Sequence, residues 1–241
     1  MDQAILVRDV RARHAIVAER IARAAARAGR DPRAIEVVAV TKGFGPEAVF
    51  AAAGAGIRAV GENRVQEARA KKPLALELLA REPGLAPPIW RLIGHLQSNK
   101  AGLAAEIFDW IDAVDSLDLA TNLSRRAQAA GRTLRVLIEV KLAPEETKHG
   151  VAPAAALDLV PAIAALPGLE VGGLMTVAPL TGPARPAFQA LAALRRRLAA
   201  AMARPLPHLS MGMSGDFEEA VEEGATLLRL GTALFGPRPG G

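Results

Sequence analysis

The 241-residue sequence contains no cysteine. This absence excludes disulfides, thiolate nucleophiles and cysteine-based metal sites, and it fits a reducing compartment. The sequence also has no run of about twenty uninterrupted apolar residues, and its N-terminus mixes acids and arginines without an apolar stretch. We therefore predict a cytoplasmic protein with no membrane span and no signal peptide.

Aromatic residues are scarce, at 3%, and tyrosine is absent. The formal charge of +5 and the pI near 10.2 would suit a nucleic-acid-binding protein. However, the arginines stand at helical spacing beside acids, and almost no rings are available to stack on bases. We interpret the charge as a solvated, arginine-rich surface and predict no nucleic-acid partner.

Apolar residues make up 51% of the chain, which is ample for a packed core and argues against disorder. A first helical pattern covers about residues 2–28, and eight β-rich apolar runs then alternate with further helical patterns. The eight runs are Ile35–Thr41, Arg58–Gly61, Ile89–Gly94, Trp110–Asp115, Leu134–Leu142, Leu169–Val177, Pro207–Gly212 and Thr226–Gly231. Such alternation indicates parallel strands joined by right-handed crossovers.

The number of units decides between two α/β folds. Eight strand–helix units are what a TIM-type (β/α)8 barrel needs, whereas an open doubly wound sheet would show the same alternation with five or six strands. No linker or low-complexity tract divides the chain. We predict a single (β/α)8 barrel domain over residues 1–241, with an extra N-terminal helix.

Lys42 is the most informative residue for chemistry. In such a barrel the active site forms at the C-terminal ends of the strands, and Lys42 directly follows a run that we expect to be buried on both faces. Desolvation of its amine would favour the neutral form, the nucleophile that forms an imine with an aldehyde. On position alone, a lysine that reaches out to solvent is the alternative.

Two loops after the last two runs predict a phosphate site. Gly212–Gly215 and Gly231–Ala233 each open a predicted helix, and they bring the hydroxyls of Ser214 and Thr232. Helix N-termini offer unpaired N–H groups and the positive end of the dipole, and barrels frequently bind phosphate at these two strand ends. Ordinary capping would explain either hydroxyl alone.

The four histidines, His14, His95, His149 and His208, are widely separated in the sequence and form no HExxH pattern. We therefore predict no metal site. His95 stands at the end of the third run, where it is either a pocket residue or a polar cap.

Six segments, in order between about residues 10 and 237, resemble the pyridoxal-phosphate homeostasis proteins (the YggS/PROSC family). They are Val38–Lys42, Gly61–Glu67, Trp90–Lys100, Gly173–Thr176, Leu209–Ser214 and Arg229–Gly236. The resemblance implies a barrel like the N-terminal domain of alanine racemase. Arg91 and Arg64 depart from the family pattern, which usually has histidine and tyrosine there, and both departures concern the expected rim of the pocket.

The resemblance also implies a cofactor, pyridoxal 5′-phosphate, held as a Schiff base on Lys42. Ser214 and the Gly231–Thr232 turn would take its phosphate, and Arg229 would face the pyridine nitrogen. An arginine there disfavours protonation of that nitrogen and weakens the ring as an electron sink. The remaining implied pocket residues are Asn63, His95, Met175 and Met213.

A racemase of this fold needs a second base, which the resemblance implies is a tyrosine from a separate C-terminal domain of a partner subunit. This sequence has no tyrosine and ends after its eighth run. We therefore predict a monomeric carrier or buffer of pyridoxal phosphate rather than an enzyme, with apo forms of pyridoxal-phosphate-dependent enzymes as candidate recipients. The alternatives are a weak amino-acid racemase that uses His95 or water as second base, and a cofactor-free Schiff-base aldolase. Lys148 is either a second transient cofactor site or surface charge.

Overall fold

A computed structural model describes residues 3–142, 145 and 149–237. Within them, eight parallel strands close into a barrel in the order β1 to β8. The strands are β1 Glu36–Val40, β2 Ala59–Glu62, β3 Ile89–Leu92, β4 Trp110–Val114, β5 Leu134–Glu139, β6 Leu169–Met175, β7 His208–Ser210 and β8 Leu227–Leu230. Seven of the eight β-rich runs predicted from the sequence contain one of these strands, and the run Arg58–Gly61 overlaps β2, which extends one residue further to Glu62. Because β1 pairs with both β2 and β8, the barrel prediction is confirmed over the open sheet.

Helices surround the barrel and follow the strands along the chain. They are α1 Gln3–Arg27, α2 Pro46–Gly54, α3 Val65–Ala80, α4 Ala101–Ile107, α5 Leu117–Ala129, α6 Pro153–Ala164, α7 Arg185–Ala201, α8 Phe217–Glu222 and α9 Thr232–Phe235. The predicted extra N-terminal helix is α1, which packs against α2, α8 and α9 and buries Val10, Val17 and Ile21. No helix in the described part of the chain is long and apolar enough to cross a membrane.

The interior of the barrel holds an ion pair beside apolar side chains. Arg91 alternates along β3 with Trp90 and Leu92, which belong to the main apolar core, so its side chain points the other way, into the barrel. There its guanidinium makes two hydrogen bonds of 2.9 Å to Asp112 and lies 4.3 Å from the ring centroid of Trp110. Arg91 is only 2% exposed, so it does not lie at the rim of the pocket, where the sequence analysis had expected it.

Strands β6 and β7 approach each other so closely that only glycine fits between them. Gly173 has φ +155°, and a Cβ added there would lie 2.0 Å from the carbonyl oxygen of His208. Gly173 is here the strand partner of His208, the first residue of β7.

Candidate functional site

A cavity of about 420 Å³ opens at the C-terminal ends of the strands. Seven of the nine residues predicted from the sequence line it: Lys42, Asn63, Met213, Ser214, Arg229, Gly231 and Thr232. Four further lining residues, Val40, Ile93, Val177 and Gly215, were not singled out by the sequence analysis. Val40 closes β1, and Ile93 and Val177 follow β3 and β6 within two residues, so their positions at strand ends were the available signal.

The pairing of the first strand with the last brings the two halves of this cavity together. Val38 of β1 and Arg229 of β8 are Cα partners across the seam of the barrel. Lys42 and Thr232 each follow their strand within a few residues, so both reach the same end of the barrel. The lysine and the predicted phosphate loops, which stand far apart in the sequence, therefore share one cavity.

A buried polar network fixes the residue before Lys42. The Thr41 hydroxyl donates a hydrogen bond of 2.6 Å to Glu62 Oε1, and Lys71 Nζ donates to the Thr41 carbonyl at 2.8 Å and to Glu62 Oε1 at 2.6 Å. Thr41 and Glu62 are fully buried, and Lys71 is 5% exposed. The backbone at the end of β1 is thus anchored to the first turns of α3.

The residue after Lys42 is held from the same helix. The Gly43 N–H donates to Glu67 Oε1 at 2.6 Å, and Lys71 Nζ donates to the same oxygen at 3.0 Å. Partial burial works to raise the pKa of Glu67, but the hydrogen bonds from Gly43 and Lys71 outweigh it and the pKa is lowered. Glu67 therefore stays ionised and can bridge the lysine loop to α3.

Burial acts more strongly on Glu62. Desolvation raises the pKa of its carboxyl group, although the Lys71 ammonium and the Thr41 hydroxyl oppose the shift. Its Oε2 atom is buried and has no hydrogen-bond partner among the described residues. The sequence analysis missed the roles of Glu62, Glu67 and Lys71. The sequence feature that could have indicated them is the i, i+4 pair of Glu67 and Lys71 on α3.

Arg229 is held rigidly in the cavity wall. Its two terminal nitrogens donate to Ser210 Oγ at 2.8 Å and to the Thr176 carbonyl at 2.7 Å, and its side chain is almost fully buried. Desolvation lowers the pKa of the guanidinium, and the carboxylates of Asp112 and Glu139 oppose this shift. The arrangement presents a fixed hydrogen-bond donor at the end of β8.

Ser214 connects the loops after β7 and β8. Its Oγ accepts a hydrogen bond of 3.2 Å from the backbone N–H of Ala233, in the first turn of α9. The sequence analysis expected Gly212–Gly215 to open the following helix, but α8 begins only at Phe217. Asp216 instead stabilises the turn, since its Oδ1 accepts from the Met213 N–H at 2.5 Å. Ser214 thus caps the helix of the neighbouring loop.

The structure places the other two predicted residues elsewhere. Met175 packs inside the barrel in a small apolar cluster with Val38 and Trp110. His95 lines a second cavity, of about 200 Å³, beside the first. The two cavities share Asn63, Ile93 and Val177 as wall residues. Lys148 lies outside the described residues.

Glu139, at the end of β5, is the most perturbed acid of the second cavity. Burial raises its pKa to about 7, and the charge of Asp115 adds to the shift while Arg229 opposes it. Its Oε2 is buried and has no hydrogen-bond partner among the described residues. The sequence analysis did not single out Glu139, although an acid in an otherwise apolar strand was a usable signal.

Comparison with known proteins assigns the chain to a family. The family model "Alanine racemase, N-terminal domain" matches residues 14–239. The curated "Pyridoxal phosphate homeostasis protein" of Pseudomonas aeruginosa is 41% identical over 222 residues, which cover 92% of this chain and 93% of that protein. The chain belongs to the pyridoxal phosphate homeostasis protein family. The resemblance noted in the sequence is thereby confirmed.

Solved structures agree with this family membership. A crystal structure of a protein from Bifidobacterium adolescentis, whose function is given as unknown, has a TM-score of 0.89 and 38% identity, and it covers 98% of this chain and 97% of that one. PipY of Synechococcus elongatus, solved with pyridoxal phosphate bound, has a TM-score of 0.78 and 38% identity, and it covers 91% and 100%. Both proteins share the barrel of this chain.

Proposed function

We propose that this protein binds pyridoxal 5′-phosphate in the 420 Å³ cavity, covalently through Lys42, and serves in cofactor homeostasis as a carrier or buffer. The observation that carries the proposal is that Lys42, Arg229 and Ser214 line one cavity across the β1–β8 seam. Family membership and the pyridoxal-phosphate-bound structure of PipY support the choice of cofactor.

The residues of the cavity fit the chemical groups of this cofactor. Lys42 supplies the primary amine for an aldehyde, and Ser214 with the Gly231–Thr232 turn supplies a hydroxyl and N–H groups for a phosphate. Asn63 fits a polar ligand, because its Oδ1 is buried and without a hydrogen-bond partner among the described residues. Within the described part of the chain, no carboxylate, which would repel a phosphate, lines this cavity.

The position of Arg229 supports a role in cofactor binding rather than in catalysis by the cofactor. When bound, pyridoxal phosphate supplies a pyridine ring that withdraws electrons most strongly when its nitrogen is protonated. Arg229 is fixed by Ser210 and Thr176, and as a guanidinium it donates hydrogen bonds and gives up no proton at neutral pH. Placed at the ring nitrogen, it would keep that nitrogen unprotonated and the ring a weak electron sink.

We further infer a cytoplasmic monomer that passes its cofactor to apo-enzymes. The lack of cysteine supports the compartment. Exposure at the cavity supports release, since Met213 in its wall is 37% exposed. Light scattering after size-exclusion chromatography tests the monomer, because a dimer would give twice the mass of 25.2 kDa.

The first test is an absorption spectrum of the purified protein with and without added pyridoxal phosphate. The wild type should show the band of the covalently bound cofactor, and Lys42→Ala and Lys42→Arg should both lack it. Lys100→Ala is the matched control, since Lys100 lies outside the cavity and should leave the band unchanged. A wild type without the band in excess cofactor would overturn the proposal and favour a cofactor-free aldolase. Turnover of free amino acids by the loaded protein would favour a racemase.

A further inference from the structure

Three side chains from separate strand ends converge beside the second cavity. The rings of His95 and His149 stack, with centroids 3.7 Å apart and planes 12° from parallel. Asp115, directly after β4, places its Oδ2 3.7 Å from His95 Nδ1. One ligand atom from each of the three side chains lies within 4.8 Å of the other two. The fold thus brings together two of the histidines that the sequence analysis considered too far apart for a metal site.

We propose that His95, Asp115 and His149 form a binding site for a divalent transition-metal ion of the Zn²⁺ type. Two imidazoles and one carboxylate are a ligand set that suits zinc and its first-row neighbours. Three protein ligands leave at least one coordination position open, as in zinc sites that bind a further molecule.

The distances require only small side-chain movements. In a tetrahedral site with bonds of about 2.0–2.1 Å, ligand atoms lie roughly 3.3 Å apart. The 3.7 Å between His95 Nδ1 and Asp115 Oδ2 is close to this value. The three ligand atoms already lie within 4.8 Å of one another, so small side-chain rotations would bring them to the tetrahedral distance. His95 and His149 are both exposed, so their rings can turn without disturbing the core.

His95 and Asp115 lie close together but do not form a hydrogen bond with each other. A separation of 3.7 Å between His95 Nδ1 and Asp115 Oδ2 is too long for a hydrogen bond. A cation bound between the three side chains would contact a ligand atom of each, since these atoms lie within 4.8 Å of one another.

A metal ion at this site would be accessible to a small molecule in the second cavity. His95 and His149 line the 200 Å³ cavity, which shares Asn63, Ile93 and Val177 with the cofactor cavity. A small anionic or amine ligand that enters the second cavity can therefore reach an open position on the metal. The three metal ligands do not include Lys42, Ser214 or Arg229, so the site is independent of the cofactor proposal.

Metal titration of the full chain, freed of any affinity tag, tests the proposal. The protein is used without added pyridoxal phosphate, because the cofactor chelates metal ions itself. Calorimetry with Zn²⁺ should give one equivalent bound with a Kd on the order of 10 µM or tighter. Co²⁺ as a spectroscopic substitute should develop visible bands of a nitrogen- and oxygen-ligated ion of low coordination number.

Single replacements identify the ligands. Each ligand is replaced in turn, by His95→Ala, His149→Ala and the nearly isosteric Asp115→Asn. Each variant should bind Zn²⁺ at least about tenfold more weakly, because even the loss of a residue that only supports a metal ligand costs about tenfold or more in affinity. His14→Gln is the matched control, since His14 contacts the carbonyl of Ala55, just after α2, and the variant should bind Zn²⁺ as the wild type does. Lys42→Ala should also keep full Zn²⁺ affinity, which separates this site from the cofactor site.

Two results would overturn the metal site. One is a wild-type Kd weaker than about 1 mM, and the other is an unchanged affinity in all three ligand variants. Circular dichroism of each variant checks that it is folded, and Asp115→Asn keeps the test decisive should a histidine variant fail to fold.

Discussion

Replacing Lys71 with methionine should lower the free energy of unfolding by about 3 kcal/mol. Lys71 is 5% exposed and donates to the Thr41 carbonyl and to two carboxylates at 2.6–3.0 Å. Removing one partner of a buried ion pair costs about 3–5 kcal/mol, because the other charge is left without compensation. We take the lower end, since Glu62 keeps its bond from Thr41 and Glu67 is 30% exposed. For a chain of this length, 3 kcal/mol corresponds to a fall in Tm of roughly 6–12 °C.

The loss should depend on pH in a defined direction. Burial already raises the pKa of Glu62 in the folded protein, and loss of the Lys71 ammonium raises it further. A carboxyl group whose folded pKa lies above its unfolded value binds protons better in the folded state, so stability falls as the pH rises between the two values. The difference between wild type and Lys71→Met should therefore be smallest near pH 4.5 and grow towards neutral pH.

Urea unfolding followed by circular dichroism at pH 5 and pH 8 measures both effects. Adding Glu62→Gln to Lys71→Met should restore more than half of the loss, because the unpaired charge is gone. Lys72→Met is the matched control. Lys72 is half-buried, bonds only to the Ile107 carbonyl among its described hydrogen bonds, and should cost about 1 kcal/mol. A loss below about 1 kcal/mol for Lys71→Met, or no rescue by Glu62→Gln, would refute the reasoning.

Three further predictions address the cofactor site and the barrel. Ser214→Ala should weaken pyridoxal phosphate binding about tenfold or more, measured by spectral titration, because it removes a hydroxyl expected at the charged phosphate. Burial raises the pKa of Glu139 to about 7, so the wild type loses stability as this carboxyl group ionises in the folded protein. The free energy of unfolding of Glu139→Gln, measured by urea unfolding, should therefore rise relative to the wild type by on the order of 2–3 kcal/mol between pH 5 and pH 8. Gly173→Ala should cost at least about 2 kcal/mol, because its Cβ would lie 2.0 Å from the His208 carbonyl oxygen. Gly84→Ala, with a positive φ but open space around its Cβ, should cost about 1 kcal/mol, and urea unfolding measures both losses.

The fold could be predicted because the signal for each element is local. Each strand of a closed barrel is an apolar run with turn residues at its ends, and the runs predicted from the sequence overlap all eight strands. The buried face of α7 could be predicted in the same way, since Phe188, Leu191 and Leu198 fall on one face of the helical pattern and are all fully buried. The ends of elements were less certain, as the late start of α8 at Phe217 shows, because hydrogen bonds from one loop to another set them.

The site was predictable only where its residues stand at strand ends. Lys42 and Ser214 were found because position along the strand predicts their place in a barrel. Lys71 and Glu139 were missed, since their burial is set by neighbours distant in the sequence and a lone charged residue is usually solvated. His149 was missed for the same reason, because it meets His95 only through the loop after β5.

The cofactor cavity exists only because the barrel closes between β1 and β8. In an open sheet, the first and last strands would be separated by the others, and Lys42 could not share a cavity with Thr232. The register of Val38 against Arg229 shows that the two halves meet through direct strand pairing. A cofactor that contacted both sides of this seam would bind the closed form alone, and it would stabilise the fold by an amount that grows with the logarithm of its affinity. The lysine after the first strand and the loops that we propose for the phosphate line one cavity because closure makes them neighbours.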